Sequence, residues 1–233
     1  MKKLKEFGYN ERLFSSGFRA KLHYARYNLL QKWVTELQCS NERVLELGCF
    51  DGKAIEFLPS PPRYYLGFDA DWENGLAIAE KKWEEHSNYV FKKCTSPDQM
   101  DVGNAPFDVA ICMETLEHIP PQMVKLYLRK LASSTPEYLF ITIPNETGII
   151  FFLKYLMKRV LGDIPNYKFL ELLHQGLGNT DKVEWIGHKG FNYKEMIGEI
   201  AEHFDIQRVS GYPFTFLPTS LNYGVGIVAR KKS

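Results

Sequence analysis

The run Glu46-Leu47-Gly48-Cys49-Phe50-Asp51-Gly52, directly after the apolar pair Val44-Leu45, constrains this chain more than any other stretch. It reads as a buried strand that stops at a tight glycine turn and hands over to a helix. Asp69 stands about 20 positions after Gly48, at the end of a second short run that reads as a strand, 64–68. A glycine turn after a first strand, with an acid at that distance, is how an α/β sheet holds a nucleoside. The glycines let backbone approach the ligand, and the carboxylate takes the two ribose hydroxyls.

The glycine spacing narrows the nucleoside. A dinucleotide fold wants G-x-G-x-x-G, so that a pyrophosphate sits on the helix N-terminus. Here Gly48 and Gly52 are separated by Cys49, Phe50 and Asp51, and Glu46 stands two positions before the first. That carboxylate repels a pyrophosphate and suits a ligand with an ammonium group. The segment resembles motif I of the class I S-adenosylmethionine (SAM) dependent methyltransferases, acid-x-G-x-G-x-G, with Phe50 at the middle glycine. The run Glu114-Thr115-Leu116-Glu117-His118-Ile119-Pro120 resembles the E-x-L-E-H-I/V-P signature of small-molecule methyltransferases.

The resemblance implies a cofactor, SAM, with S-adenosylhomocysteine as product, and it implies contacts. Glu46, Gly48, Cys49 and Gly52 belong to the turn along the amino-acid part of SAM. Asp69 fits the ribose-binding acid, with Ala70 or Phe68 at the ribose or adenine edge; Asp71 is its competitor and reads as a solvated acid or as a cap of the helix at Trp72. After strand three, Thr95 stands where the family often has an acid near the adenine, so that contact falls to Asp98, Ser96 or backbone. Met113 lies near the methionine part. A helix carrying an Arg-Tyr pair before motif I recurs in methyltransferases of polysaccharide building, which makes Arg26, beside Tyr27, a partner for the SAM carboxylate or else a solvated arginine.

The rest of the pattern agrees with that family over roughly 43–230. Strands are expected at 43–47, 64–68, 89–92, 108–112, 138–143, 204–209 and 223–229, and helices over most of 9–38 and at 52–58, 72–86, 121–132 and 191–203. Strands alternating with helices predict a Rossmann-like, doubly wound, seven-stranded, mostly parallel sheet. The connection 211–222, with Pro213 and Pro218 and no helix, suits a hairpin-like return rather than a crossover, and the resemblance likewise implies a last strand that runs antiparallel. The chain divides into an N-terminal helical cover, 1–40, and a methyltransferase domain, 41–233, with 145–190 as a cap or substrate insertion.

Composition excludes several classes. Net charge is +1 over 233 residues, so no global field favours nucleic acid. The four cysteines have neither metal-ligand nor disulfide spacing. No apolar signal core follows the basic N-terminus, and no stretch approaches the roughly 20 apolar residues of a membrane span. The cytoplasm is the expected compartment.

Methyl transfer from a sulfonium is an in-line displacement, and a hydroxyl nucleophile benefits from a base. His118, after strand four, and His188, where the insertion returns to the sheet, are the candidate catalytic bases; each also reads as a structural histidine. His23, His86, His174 and His203 read as structural or surface residues. The acidic ligand set of metal-dependent catechol methyltransferases is not found, so no metal is expected. The tetrad of DNA- and amide-methylating families is also absent at strand four, which favours an oxygen acceptor.

The segment 149–161 is apolar apart from Lys154, Lys158 and Arg159. It reads either as a cap helix or homodimer contact with its basic edge in water, or as a helix lying peripherally on an anionic membrane or over a lipid-linked substrate. The expected acceptor is a small molecule or glycan: first a sugar hydroxyl on a glycan or lipid-linked glycan, then a quinone or other prenylated phenol. From other classes, a Rossmann oxidoreductase and a catalytically inactive SAM-fold subunit remain as rivals.

Overall fold

The computed structural model describes residues 17–104, 106–134, 136–160 and 166–232. The described elements are α1 (Gly17–Glu36), β1 (Arg43–Leu47), β2 (Tyr64–Asp69), α2 (Gly75–Lys82), β3 (Tyr89–Lys93), β4 (Val109–Met113), α3 (Pro121–Ser133), β5 (Tyr138–Pro144), α4 (Gly148–Val160), α5 (Phe169–Leu177), α6 (Tyr193–His203), β6 (Phe204–Tyr212) and β7 (Gly224–Lys231). The strands form one sheet in the order β3-β2-β1-β4-β5-β7-β6. Strands β1 to β5 pair in parallel, and β7 runs antiparallel to both β5 and β6. The expected architecture is present, with its one reversed strand inside the sheet rather than at the edge.

Alternation along the strands feeds two apolar layers. Leu45, Ala110, Ile141 and Ile227 pack with Val124, Leu128 and Leu131 of α3 and with Met196 and Ile200 of α6. Val44, Ile111, Phe140 and Val228 pack on the other face with Leu30, Trp33 and Val34 of α1 and Leu76 of α2. Strand β4 is buried throughout, as a central parallel strand covered on both faces must be. Gly226 lets α1 lie close on β7: a Cβ there would stand 2.6 Å from both Leu29 and Trp33.

Local chemistry shortens three of the expected helices. Residues 52–58 do not form an α-helix; a 3-10 turn, Lys53–Phe57, ends at Leu58, which is extended because Pro59 follows it. The 72–86 helix begins only at Gly75, after the left-handed residues Asp71, Glu73 and Asn74. The last helix begins at Tyr193 because the Asn192 side chain accepts the Lys194 N–H and caps it. Of the expected N-terminal cover, 1–16 lies outside the described residues, as does 161–165 of the insertion. The insertion forms α4 and α5, followed by a loop that carries His188 back to α6.

Candidate active site

A cavity of about 620 Å³ opens where β1, β2, β4 and β5 end, within the roughly 300–1,000 Å³ of ligand sites. This is the crevice beyond the carboxyl ends of the strands, where an open α/β sheet holds its ligand.

Its floor on the β1 side is the glycine turn. Gly48 and Cys49 both donate to the Phe68 carbonyl, at 2.7 and 3.2 Å. Gly48 is left-handed, φ 81°, and a Cβ there would stand 1.9 Å from Oγ1 of Thr115. The turn and the loop after β4 therefore touch at backbone distance. Phe50 takes a left-handed φ of 45° where the family has glycine. That conformation costs a side-chain-bearing residue roughly 1–2 kcal/mol. It is held by the Phe50 N–H donating to Oδ2 of Asp69 at 3.0 Å and by the ring packed over Gly75.

Asp69 is braced at both oxygens, since Oδ1 accepts from the Asp71 N–H at 2.7 Å. Burial raises its carboxyl above the ordinary range, and the backbone donors pull it back. Asp71 itself caps α2 by accepting from the Leu76 N–H at 3.3 Å. Glu46 is buried and accepts a short hydrogen bond from the Tyr65 hydroxyl. Burial pushes its carboxyl up to about 8.

Arg26 is buried rather than solvated. Its Nη2 donates to the Tyr27 hydroxyl at 3.4 Å, and Nη1 lies 4.0 Å from Oε2 of Glu114. Arg26, Glu46, Gly48, Cys49, Asp69, Ala70 and Met113 all line the cavity, and so does His23, which the sequence placed elsewhere. Gly52 and Ser96 do not. Gly52 turns its Cα toward the Trp83 indole, while Ser96 precedes the 3-10 turn Pro97–Gln99. Cys94 and Thr95 line the cavity from that loop instead, and Asp98 is exposed.

The opposite end is built by the loop after β4, the end of β5, α4 and the His188 loop. The two candidate histidines meet here: their rings stand edge to face, 4.7 Å apart at 87°. Trp72 packs edge-on to His118 at 5.3 Å. Burial lowers the pKa of both imidazoles, so both are neutral at pH 7. Glu117 is wholly buried beside them, its Oε1 3.9 Å from Nε2 of His118. Glu146 Oε1 lies 3.8 Å from Nδ1 of His188.

Lys154 is a correction to the expected basic edge in water. It is buried, donating to the Asn145 carbonyl at 2.9 Å and to Glu146 at 3.1 Å, because a glutamate at the end of β5 sits beneath it. Gln175, also buried, fixes the cap: its amide donates to the carbonyls of Glu146 and Phe191 and its oxygen accepts from Gly190. That brace holds the His188 loop against the end of β5.

Sequence reasoning gave no separate role to Glu117, Glu146 or Trp72. Glu117 lay inside the quoted signature and was the one legible signal.

Six acids line the cavity (Glu46, Asp69, Glu73, Glu114, Glu117, Glu146) against three cations (Arg26, Lys154, Lys158). Burial pushes the carboxyls of Glu46 and Glu117 up, so an arriving cation meets acids that ionise beside it, which fits a ligand carrying a sulfonium and an ammonium. Glu46 suits the ammonium and Asp69 the ribose. Comparison with known proteins agrees. Residues 22–177 match the family described as "Methyltransferase domain". The chain is similar to a ubiquinone biosynthesis O-methyltransferase of Glaesserella parasuis, 24% identical over 167 residues, covering 67% of this chain and 68% of that protein. A ubiquinone biosynthesis O-methyltransferase of Haemophilus ducreyi is 26% identical over 189 residues, covering 76% and 75%. An SAM-dependent methyltransferase structure from Clostridium acetobutylicum shares the fold, with a TM-score of 0.67 at 13% identity over 97% of this chain and 99% of that one. The glycine turn, the acid at the end of β2 and the acid-rich crevice thus stand in a chain that belongs to the methyltransferase-domain family, as a class I SAM-dependent methyltransferase.

Proposed function

We propose that this enzyme methylates a hydroxyl oxygen on an acceptor with an apolar tail, a prenylated phenol first. The observation that carries the reading is the continuity of the cavity with an exposed apolar face. Ile149, Leu153, Leu156 and Val160 of α4 and Phe169, Leu170 and Leu177 of α5 are solvent-exposed, while Met157 and Lys158 of α4 line the cavity. So large an uncovered apolar surface marks a membrane or ligand contact. The names of the curated relatives point to the same acceptor class. A lipid-linked glycan is the second reading, favoured by Arg26 and Tyr27 at the cavity wall. Radiolabelled SAM offered with prenylated dihydroxyphenols and with lipid-linked sugars separates the two, and transfer to neither class sinks both.

When bound, SAM supplies a methyl group made electrophilic by its sulfonium. The chain's own groups hold the acceptor oxygen in line and take charge of its proton. His118 and His188 are the groups beside that oxygen. Their neutral forms are the useful ones, and burial holds their pKa below the ordinary 6.5. Turnover is therefore expected to rise with pH through a limb below 6.5 and to be flat at neutrality. Replacing either histidine by alanine is expected to lower turnover by roughly 10²-fold or more while leaving S-adenosylhomocysteine affinity within about twofold. Wild-type turnover in both variants removes the histidines from the chemistry.

The same face is proposed to rest on membrane. Lys158 and Arg159 in the last turn of α4 suit anionic headgroups. No helix among the described residues is long and apolar enough to cross a bilayer, so the contact is peripheral. Sedimentation with phosphatidylglycerol vesicles at low salt is expected to carry the protein down, and Leu153→Glu with Leu156→Glu to release it. Equal recovery of wild type in the supernatant rejects the contact.

A further inference from the structure

We propose that Glu117, His118 and His188 bind one divalent transition-metal cation at the acceptor end of the cavity. One ligand atom from each lies within 4.8 Å of the other two. The sequence separates His188 widely from the Glu117-His118 pair, so the cap alone makes the cluster.

The second observation is a carboxylate with nothing to satisfy it. Glu117 is 0% exposed, and neither of its oxygens has a hydrogen-bond partner among the described residues. Its nearest ion-pair neighbour is the His118 imidazole, with Nε2 at 3.9 Å. Buried carboxylates are paired, protonated or bound to metal. Nδ1 of His188 is likewise buried without a hydrogen-bond partner, the nearest carboxylate oxygen being Oε1 of Glu146 at 3.8 Å. The loop after β4 thus sets a buried carboxyl without a hydrogen-bond partner within 4.8 Å of ring nitrogens of two imidazoles, a donor set that one cation would answer.

The donor set selects the ion. Two imidazoles and one carboxylate suit manganese, iron, cobalt or zinc, whereas magnesium prefers oxygen and keeps its waters. Metal–ligand bonds of about 2.0–2.2 Å let ligand atoms stand at most about 4.3 Å apart. The largest present separation closes with side-chain movements under about 1 Å. The sequence expectation of no metal rested on a missing set of acids; this set is built mainly from histidine.

Three protein ligands leave open positions toward the cavity, so the site takes acceptor oxygens. Two neighbouring oxygens, as in a dihydroxyphenol or a vicinal sugar diol, fill two of them. This role rests on the proposed function. In it the cation polarises the acceptor hydroxyl, the O–H bond breaks and the proton passes to water. The oxygen lone pair forms the new bond to the methyl carbon, and the methyl–sulfur bond breaks with its electron pair left on sulfur. With the cation bound, the histidines serve as its ligands in place of the direct base role, and their alanine variants lose turnover by that route.

The test is a Mn²⁺ titration of the whole chain after chelator treatment, read by loss of the free-ion electron paramagnetic resonance signal. About one Mn²⁺ per chain is expected in the wild type. Glu117→Gln and His188→Ala are each expected to weaken binding by about tenfold or more. The glutamine keeps the buried shape and removes a buried charge, so the fold persists; near-ultraviolet circular dichroism checks it. No binding to wild type at millimolar Mn²⁺, or equal binding in both variants, overturns the site. S-adenosylhomocysteine titrated in parallel binds all three proteins alike, and its failure with wild type would strike the methyltransferase reading rather than the cation site.

Discussion

Gly48→Ala is expected to lower S-adenosylhomocysteine affinity by roughly 100-fold or more, about 2.7 kcal/mol. Two effects combine. The left-handed φ of 81° costs an alanine roughly 1–2 kcal/mol. The new methyl would also stand 1.9 Å from Oγ1 and 2.8 Å from Cβ of Thr115, so the loop after β4 must retreat. That loop carries Glu114, Glu117 and His118, and turnover is expected to fall with affinity. Gly103→Ala is the control: φ is 66° there, but nothing lies within 4 Å of the added Cβ. It isolates backbone strain from collision. Calorimetry that finds Gly48→Ala binding like the wild type would mean that the turn does not carry the ligand.

Asp69→Ala is expected to weaken the same ligand by roughly 10²- to 10⁴-fold, since hydrogen bonds to a charged group contribute about 1.5–3 kcal/mol each. The carboxylate is needed twice. It lines the cavity, where it would accept from ribose hydroxyls, and it also braces the turn through the N–H groups of Phe50 and Asp71. Asp69→Asn keeps one acceptor oxygen and is expected to lie between the two. A ribose-lacking fragment such as methionine amide separates the roles: its weak binding should survive only if the turn survives. Affinity within threefold of wild type for Asp69→Ala would show that the ribose is held elsewhere.

Much of the glycine-turn end of the cavity was legible because it is local. The glycine turn, Glu46, Asp69 and Ala70 lie at the ends of adjacent strands, and strand ends follow from apolar runs that stop. Phe50 shows the limit of motif reading. The sequence marks a missing glycine, while the structure shows phenylalanine holding the left-handed conformation by an Asp69 hydrogen bond and packing on Gly75. Ser96 and Gly52 were chosen by position in a motif, and both turn away because a 3-10 turn and the Trp83 indole claim them.

The acceptor side depended on distant parts meeting. Lys154 looked like a solvated base on a helix edge; only the fold places it on Glu146 and over the Tyr223 ring, 4.2 Å away. His118 and His188 were named separately, and nothing in their spacing put them 4.7 Å apart. By itself the sequence determined the strand order's raw material, the glycine turn and the placing of Asp69 at a strand end, because hydrophobic period and turn chemistry act over a few residues. Tertiary structure alone decided which charges are buried and which imidazoles meet. Burial and contact depend on how α4, α5 and the His188 loop close over the sheet, and that closure is set by side chains such as Gln175 bridging segments far apart in the chain.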